Sequence, residues 1–589
     1  MFLLLFALVA GLNILLGLKL WPYVLSGHLQ DPDSYMRLVR LGQSVQAGHL
    51  GITVAGDQSG AGVMVEWSRL YDAALWLLAA PFAPLVGWHQ ALFCAGVASG
   101  PIGVGLLGMT LAWAVEPLAL RRHVWTAAMA AALLPGLMSV AQPGVVHYHV
   151  ALLTLIALTV GGVVRAWRGN VLGAAVAGLG GGFAMWMTPE TMPFVLAAYV
   201  PLLVRLLDTD NTKIIAIVAA AQFDIIAMAS IVDPVKGNFW APETDRMSVV
   251  YFFLALGLLM VAMLLMRLAP RLGRARGRAG WIAFALVMGI WVKAFPGVVE
   301  GPFGLLPPAE AHAFFNVISE QMPLTWQQDI LFLAPAALAV LYALWRAWSS
   351  VKPRTALGFL DTQDFLVNVG GHRARLLWIY AALVGVASLV LGARFMLFTE
   401  FPAGFAAGLL PVALSDVDRR CADSPRRALW GRMAVLALVL VAPDAATLNS
   451  AAPATTAAAT QFPTCALDTA VPLLAPAAGQ VVEAPPEDTP ELLYRTRVET
   501  VGSLYHHGID GYMRDRALWR AAPDNAKAAI TDAHAAWVLF CPTPGRYALV
   551  ADLPADTTLW DALEAGHPPA WLSPAGTSAG GWQLYKITL

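Results

Sequence analysis

The sequence predicts an α-helical polytopic membrane protein that ends in a small α+β domain. Of its 589 residues, 58% are hydrophobic and 13% are charged, and the mean hydropathy is +0.63. Soluble domains carry roughly a quarter charged residues. The apolar residues form long segments up to about residue 442, whereas the tail has short apolar runs broken by Pro and Gly. The net charge of −1 gives no indication of a nucleic-acid partner.

Thirteen apolar segments are predicted to cross the membrane, since a spanning helix needs about 20 mostly apolar residues. The segments are 2–20, 88–117, 123–141, 149–165, 170–187, 191–207, 213–232, 248–267, 279–297, 327–346, 376–393, 403–416 and 427–442. Segment 72–86 is broken by two prolines and is predicted to be re-entrant or interfacial. The first segment has no basic leader and no small-residue cleavage site, so we expect it to be retained.

The connecting loops alternate in charge. One set is basic and contains Arg121–Arg122, Arg165/Arg168, Arg205/Lys213, Arg267–Arg278, Arg346–Arg375 and Arg419–Arg432. The other set is acidic or polar and contains Asp31/Asp33, Glu66, Gln142–Tyr148, Glu190, Glu243/Asp245, Glu300–Glu320 and Glu400. The positive-inside rule places the basic set in the cytoplasm. An odd number of spans then puts the N-terminus inside and residues 443–589 outside.

The composition divides the chain into three parts. Residues 1–442 are predicted to form the membrane domain, the Ala/Thr/Pro-rich stretch 443–465 a linker, and residues 466–589 a small α+β domain. In the last part, runs 536–541 and 547–552 are typical of strands, and 523–535 is typical of a helix.

The cysteines bear on the compartment of this tail. In an oxidising compartment, Cys465 and Cys541 would form a disulfide. The alternative is two unpaired buried thiols. Cys94 lies in a predicted span and Cys421 on the predicted cytoplasmic side, so neither is expected to pair with them.

Two carboxylates, Asp31 and Asp33, flank Pro32 directly after the first span. The proline disfavours a helical conformation for Asp31, while Asp33 begins a helix-compatible run. Asp33 is therefore a candidate N-cap and equally a candidate catalytic carboxylate at the outer surface.

A second polar stretch contains His147 and His149, which would point the same way if that segment is extended. Polar groups this close to the hydrocarbon boundary favour a shared ligand site. The alternative is an interfacial cluster that contacts lipid headgroups. Glu190 stands alone in an outward turn between two spans, where either a substrate role or capping of the next helix explains it.

The loop 298–326 ends in Val317-Ile-Ser-Glu320, and its length is typical of a lid or a binding loop. Arg394 follows at the outer end of a span. Its guanidinium group suits phosphate oxygens. Snorkelling to the interface is the alternative role for this side chain.

Together these motifs resemble the GT-C superfamily of polyprenyl-lipid-dependent glycosyltransferases, most closely the catalytic subunit of oligosaccharyltransferases. That family has 13 spans and an outward C-terminal domain. Its Asp, small residue and Tyr in the first outward loop are matched by Asp33-Ser34-Tyr35, and its Asp-x-Asp motif by His147-Tyr-His149. Its Thr-Ile-x-Glu-like motif is matched by Val317–Glu320, and its diphosphate-binding arginine by Arg394-Phe395.

The chain departs from the family in two places. The tandem-Trp-Asp motif that reads the acceptor sequon is missing, and Trp560-Asp561 has a single Trp late in the tail. Histidines also replace the second pair of carboxylates. Carboxylate sites suit Mg²⁺ or Mn²⁺, whereas imidazole shifts the preference toward Mn²⁺ or Zn²⁺ or removes the need for a metal.

The resemblance implies a glycosyltransferase that uses an undecaprenyl-type phosphate- or diphosphate-linked sugar at the outer face of a bacterial inner membrane, with the C-terminal domain in the periplasm. The acceptor would be a glycan, a lipid or a protein, although not an N-glycosylation sequon. A transfer to lipid or glycan, of the aminoarabinose or mannosyl type, is the alternative within the class. A transporter of lipid-linked or small polar substrates is the alternative outside it.

The resemblance also implies roles for individual residues. Asp33 and Glu320 would be catalytic. A divalent cation, Mg²⁺ or Mn²⁺, would be bound by Asp33, His147, His149 and Glu320. The substrate would be bound by Asp31, Tyr35, Glu190 and Arg394.

Overall fold

The computed structural model describes residues 1–234, 238–349, 371–443, 445, 465–542 and 547–588. The chain forms two compact units. Unit 1 comprises Met1–Ser26, Val97–Gly301 and Glu320–Ala451, and unit 2 comprises Gly27–Gly96, Pro302–Ser319 and Ala452–Leu589. Nearly all of the predicted linker and most of the basic loop before residue 375 lie outside the described residues. The predicted boundaries of three domains stay a prediction.

Helices make up most of the described chain. In chain order they are α1 (Phe2–Leu16), α2 (Trp21–Leu25), α3 (Pro32–Ala47), α4 (Arg69–Ala79), α5 (Ala83–Val86), α6 (Trp88–Val115), α7 (Trp125–Leu133), α8 (Pro135–Met138), α9 (His149–Ala166), α10 (Val171–Met187), α11 (Met192–Leu206), α12 (Thr212–Val232), α13 (Val249–Leu272), α14 (Arg276–Ala294), α15 (Gly297–Glu300), α16 (Pro308–Phe315), α17 (Trp326–Ser349), α18 (Gly371–Arg394), α19 (Glu400–Arg420), α20 (Pro425–Leu436), α21 (Thr489–Arg495), α22 (Ile509–Arg520), α23 (Ala526–Asp532) and α24 (Leu559–Glu564).

Each of the thirteen segments predicted to cross the membrane coincides with a helix or a broken helix. Within the described residues, seven helices are long and apolar enough to span a bilayer, or eight if the bent pair α7 and α8 is one span. One of the seven is the continuous stretch Val249–Ala294, in which α13 and α14 were predicted as two spans. The chain is thus a polytopic helical membrane protein, and the number thirteen stays a prediction.

Small residues allow three helices of unit 1 to pack closely. A side chain at Gly162 would lie 2.5 Å from the backbone nitrogen of Ala177, and one at Gly178 would lie 2.3 Å from the carbonyl oxygen of Val218. These contacts join α9 to α10 and α10 to α12. Membrane helices gain stability from such close packing because lipid tails provide little hydrophobic driving force between helices.

The loops of unit 1 with opposite charge gather at opposite ends of α19. At its end, Asp416 binds Arg346, and Asp418 binds Arg122 and Arg432 at 2.7 and 3.0 Å. Three loops of the predicted cytoplasmic set therefore meet there. At its start, Glu400 meets the predicted outer loop before α9. A helix of 21 residues is about 30 Å long, which is the thickness of the hydrocarbon core.

Unit 2 contains a short hairpin and a five-stranded mixed sheet. The hairpin pairs β1 (Thr53–Val54) with β2 (Val63–Met64). The sheet has the order β4-β3-β5-β7-β6. Its strands are β3 (Val481–Glu483), β4 (Glu499–Thr500), β5 (Trp537–Phe540), β6 (Leu572–Thr577) and β7 (Gln583–Ile587). β3 pairs in parallel with β4 and β5, and β7 is antiparallel to β5 and β6. The predicted α+β tail is thereby confirmed.

Alternate residues of the central strand enter two different apolar cores. Val538 and Phe540 pack into a core with Trp519 of α22, whereas Trp537 and Leu539 pack into a second core. Both faces are covered, so β5 is buried at every position. Such a strand appears in the sequence as a continuous apolar run, which is why 536–541 was predicted correctly.

Two further predictions for the tail have different outcomes. The helix predicted at 523–535 forms as the shorter α23. The strand predicted at 547–552 is wrong, because residues 548–550 form a single 3₁₀ turn. The edge of β5 that this strand would pair with is occupied by Gln583–Ile587. Sequence periodicity does not distinguish between two apolar runs that compete for one edge.

Of the two alternatives left open for Cys465 and Cys541, the structure has the disulfide, with their Cα atoms 5.8 Å apart. Cys94 and Cys421 are free, as expected.

The long loop before α17 contains α16, which belongs to unit 2. Phe314 packs edge-on against Tyr512 with ring centroids 5.2 Å apart, and the Tyr512 hydroxyl donates to the carbonyl of Ala313 at 2.8 Å. Phe314 is almost completely buried in the core of the tail domain. The predicted lid over 298–326 therefore includes a helix that is part of a folded core.

Candidate functional site

The helix that begins at Pro32 is capped by Asp31 and not by Asp33. Oδ1 of Asp31 accepts from the backbone N–H of Ser34 at 2.8 Å, and Oδ2 accepts from the Ser34 hydroxyl at 2.8 Å. Proline stands at the first helical position, where its missing N–H costs nothing. The prediction that Asp33 is a candidate N-cap is wrong, because the extended residue before the proline takes that place.

Asp33 instead lies in the first turn of α3, where the helix dipole favours its negative charge. Its Oδ1 accepts a hydrogen bond of 2.7 Å from the hydroxyl of Tyr505. Tyr505 comes from the tail, after β4. Within unit 2, this carboxylate thus joins the start of α3 to the C-terminal domain.

Tyr35 lies two residues further along α3 and is buried. Its hydroxyl accepts from the backbone N–H of Leu29 at 2.9 Å and from the Arg495 guanidinium at 3.0 Å. Its ring packs at 5.4 Å from that of Tyr494. These contacts hold the Tyr35 side chain within unit 2. Its predicted role in substrate binding stays a prediction.

In unit 1, the second predicted motif is held by a buried carboxylate. Nδ1 of His149 lies 2.8 Å from Oε1 of Glu400, and both side chains are buried. Tyr148 stacks on the His149 ring at 4.7 Å, and the His147 ring lies 5.6 Å away. A carboxylate on Nδ1 orients an imidazole so that Nε2 is the nitrogen presented to a ligand.

Glu190 and Arg394 belong to the same end of unit 1. Glu190, His149 and Glu400 line one small cavity together with Tyr148, Leu152, Thr188, Thr191, Leu397, Phe398 and Phe401. Arg394 ends α18 three residues before this lining and is exposed, with its guanidinium 5.0 Å from the ring centre of Phe395. Thr191, and not Glu190, stands at the N-cap position of the next helix, and its side chain makes no cap bond.

Glu320 reaches this end of unit 1 through its own loop. It interacts electrostatically with His149. Two backbone hydrogen bonds fasten the loop beside Arg394, from Met396 to Met322 at 3.1 Å and from Leu324 to Ala393 at 3.3 Å. The candidate residues therefore form two groups, one in each unit: His147, His149, Glu190, Glu320 and Arg394 in unit 1, and Asp31, Asp33 and Tyr35 in unit 2.

Sequence reasoning missed Glu400 and Tyr505 as members of these groups. Glu400 served only as a marker of outer loops, although a carboxylate at the start of an apolar span is itself a signal of a buried partner. Tyr505 precedes His506 and His507, and this run of ring side chains resembles His147-Tyr-His149 in composition. Nothing in the sequence indicates that Tyr505 meets Asp33, 472 positions away.

The polytopic helical bundle and the mixed-sheet tail define the class of protein, a helical membrane protein with a C-terminal α+β domain. No family model and no curated protein matches the sequence. Solved structures do match. The chain is similar to the archaeal oligosaccharyltransferase AglB of Archaeoglobus fulgidus in complex with an inhibitory peptide and a dolichol-phosphate, with a TM-score of 0.67, 13% identity, and coverage of 91% of this chain and 69% of that one.

Two further structures of the Archaeoglobus fulgidus oligosaccharyltransferase match at 14% identity. One is tethered to an acceptor peptide containing the NVT sequon, with a TM-score of 0.65 and coverage of 100% of this chain and 74% of that one. The other is a complex with Zn and sulfate, with a TM-score of 0.62 and coverage of 99% and 73%. This chain therefore has the fold of the archaeal oligosaccharyltransferase. The sequence resemblance implied that fold for residues 1 to about 442, and the structural match extends into the tail as well.

Proposed function

We propose that the protein is an inverting membrane glycosyltransferase that takes its sugar from a polyprenyl-phosphate- or polyprenyl-diphosphate-linked donor. The observation that carries this proposal is the gathering of His147, His149, Glu320 and Arg394 at one end of the helical bundle. These residues occupy the motif positions of a family whose fold this chain has. A carrier function offers no reason for a carboxylate-oriented histidine beside an exposed arginine.

Arg394 would bind the phosphate of the donor. AglB is seen with dolichol-phosphate, and a guanidinium group matches phosphate oxygens geometrically. No carboxylate among the described residues forms an ion pair with Arg394, and its side chain is exposed. Its charge would be most useful as the glycosidic bond breaks, because negative charge then builds up on the departing phosphate.

The residues at this end of unit 1 suit a divalent cation. Glu400 fixes the tautomer of His149, which is the arrangement found behind metal-ligating histidines. His147, His149 and Glu320 would hold the cation. The predicted part of Asp33, which belongs to the other unit, stays a prediction. A structure of the archaeal enzyme contains Zn and sulfate. A bound divalent cation supplies positive charge to the leaving phosphate.

Asp33 would act on the acceptor. Its carboxylate would orient the attacking hydroxyl or amide and accept its proton as the new bond to the anomeric carbon forms. The bond from that carbon to the phosphate oxygen breaks on the opposite face, and the polyprenyl (di)phosphate leaves with the bonding electrons. A single displacement of this kind inverts the anomeric centre.

The acceptor is proposed to be a lipid or a glycan and not a protein sequon. The one Trp-Asp pair in the tail has a structural role: Trp560 is buried in the core, and Asp561 forms a capping box with Thr558 at the start of α24. Neither side chain is placed to read a peptide. Transfer to a sequon would therefore need another recognition element.

The catalytic side is proposed to face the periplasm of a bacterial inner membrane. The disulfide between Cys465 and Cys541 favours an oxidising compartment for the tail. The basic loops gathered at the far end of α19 favour the cytoplasm for that end. A reporter enzyme fused after residue 500 tests the topology directly, and cytoplasmic activity of the reporter would contradict it.

The function is tested with the whole chain in detergent and two radiolabelled donors, polyprenyl-phosphate mannose and polyprenyl-diphosphate N-acetylglucosamine. A membrane lipid and glycan extract serves as the acceptor source, and loss of label from the polyprenyl lipid is measured. Asp33→Asn is expected to lower the rate at least about a hundredfold. Asp556→Asn, at an exposed position, is the matched control. Wild-type protein that uses neither donor, or full activity of Asp33→Asn, would refute the proposal.

A further inference from the structure

The hydroxyl of Tyr505 contacts the candidate catalytic carboxylate directly. It donates to Oδ1 of Asp33 at 2.7 Å, which is the length of a strong hydrogen bond to an ionised acceptor. Tyr505 is 4% exposed. A buried phenol has no water to bond with, so its hydroxyl is committed to this carboxylate.

The ring of Tyr505 is held by a stack of aromatic and charged side chains. Trp67 packs edge-on against it with centroids 5.4 Å apart. On the other side, the Arg37 guanidinium lies 4.2 Å from the Trp67 ring centre. Arg37 and Arg40 bind the two oxygens of Asp72 at 2.8 and 2.6 Å. Aromatic edge contacts and cation–π contacts both depend on orientation, so this stack fixes the angle of the tyrosine ring.

The whole stack is buried within unit 2. The Arg37, Arg40 and Asp72 side chains are at most 1% exposed. Two arginines on α3 and one aspartate on α4 form a network that could not be moved without leaving a buried charge unpaired. Helix α3 thus carries both Asp33 and the two arginines of the stack that holds Tyr505, the hydrogen-bond partner of Asp33.

The charges around Tyr505 favour its neutral form. Burial raises the pKa of the Tyr505 hydroxyl well above its ordinary value, and the negative charge of Asp33 raises it further, with smaller effects of Glu66 and Asp31. His506, next in sequence, lies 3.9 Å from Glu66.

We propose that Tyr505 is a positioning residue for the reaction, and that it holds the Asp33 carboxylate in the orientation that receives the acceptor nucleophile. The inference rests on the role of Asp33 in the proposed function. A carboxylate in a first helical turn rotates freely about its last torsion unless a partner fixes one oxygen. Misplacement of a reacting group by about 1 Å lowers a rate by on the order of a hundredfold.

The experiment compares Tyr505→Phe, Asp33→Asn and the double variant in the donor assay described above. Tyr505→Phe is expected to lower kcat between about tenfold and a hundredfold, the range that corresponds to one hydrogen bond to a charged group. KM is expected to stay within about twofold, because the bond acts on the carboxylate and not on the donor. In the Asp33→Asn background, the same substitution is expected to change the residual rate by less than about twofold.

Tyr512→Phe is the matched control, since it also removes a buried hydroxyl in unit 2, one that donates to the Ala313 carbonyl. It is expected to leave kcat unchanged. If the apparent Tm shows that Tyr505→Phe is unstable, Trp67→Phe replaces it as the test. This substitution keeps Tyr505 and weakens the packing against its ring. A fall in kcat at unchanged KM is again expected.

The outcomes separate the two proposals. Wild-type kcat in Tyr505→Phe, or an equal fall in both backgrounds, would overturn the positioning role while leaving the proposed function in place. Full activity of Asp33→Asn would instead overturn the function assigned to Asp33, whatever Tyr505 does.

Discussion

The strand that ends at Glu483 brings a carboxyl group into the core of the tail domain, and we expect this core to lose stability as the pH rises. Glu483 lies opposite Asp515 of α22, and both side chains are completely buried. The two carboxyl groups lie within hydrogen-bonding distance of each other. Two ionised carboxylates cannot form a hydrogen bond, so one proton is held between them.

Burial raises the pKa of Glu483 from 4.5 to about 7, and its hydrogen bond to Asp515 and the charge of Arg514 offset only part of this effect. Burial, followed by the charge of Glu483, also raises the pKa of Asp515 well above its ordinary value. Between pH 4.5 and 7 the folded domain therefore holds more protons than the unfolded chain. The free energy of unfolding falls with increasing pH across this window, by about 3 kcal/mol for Glu483 alone.

The substitution Glu483→Gln removes this titration and leaves an amide N–H that donates to Asp515. The apparent Tm of the whole protein in detergent would be followed by tryptophan fluorescence from pH 5 to 8. For a unit of this size, about 3 kcal/mol corresponds to roughly 6 to 12 °C. We expect wild type to lose about that much across the range, and the variant to lose less and to be the more stable protein at pH 8.

The neighbours Asp57, Glu487 and Asp488 also have raised pKa values caused mainly by burial. The difference between wild type and variant therefore reports on Glu483 together with Asp515, whose pKa depends on the Glu483 charge. Glu564→Gln, at an exposed position on the same unit, is the control and should leave the slope unchanged. A wild-type Tm that stays level or rises from pH 5 to 7, or a Glu483→Gln variant with the wild-type slope, would refute the reasoning.

Three further outcomes are expected. Cys465→Ser opens a loop of 76 residues and should lower the free energy of unfolding by about 4 kcal/mol. The variant should have a lower apparent Tm that dithiothreitol does not lower further. A variant whose Tm responds to dithiothreitol as much as that of wild type would contradict this expectation. Glu400→Gln should weaken binding of Mn²⁺ or Zn²⁺ about 10- to 100-fold by calorimetry with the metal alone, and unchanged affinity would remove Glu400 from behind His149. Asp72→Ala should destabilise unit 2 by about 3 to 5 kcal/mol, since two buried arginines lose their partner. A near-wild-type Tm would contradict this expectation.

Much of the fold can be predicted from local pattern. Apolar length predicts where the long apolar helices of the described chain lie, because burial in lipid depends mainly on composition. The alternating charge of the loops predicts which of them meet, as Asp418 with Arg122 and Arg432 shows. The run 536–541 is apolar at every position and forms the central strand. The run 547–552 has a similar pattern and forms a turn, because β7 occupies the place beside β5.

The candidate site was predicted in part, and the reason lies in distance along the chain. His147, His149, Glu320 and Arg394 stand at family motif positions, so the sequence alone indicates them. The exchange of roles between Asp31 and Asp33 depends on Pro32 taking the first helical position, and it becomes visible only once the helix start is known. Glu400 and Tyr505 each contact a partner that is hundreds of positions away in the sequence.

The sequence by itself determined the class of fold and the alternation of charge between the loops, since hydropathy and charge are local properties. Only the tertiary structure decided which carboxylate caps the helix, which hydroxyl holds Asp33 and which acid stands behind His149. Those contacts depend on side chains that are brought together by packing. The spacing of residues along the chain does not predict a contact such as the hydrogen bond of 2.7 Å between Tyr505 and Asp33.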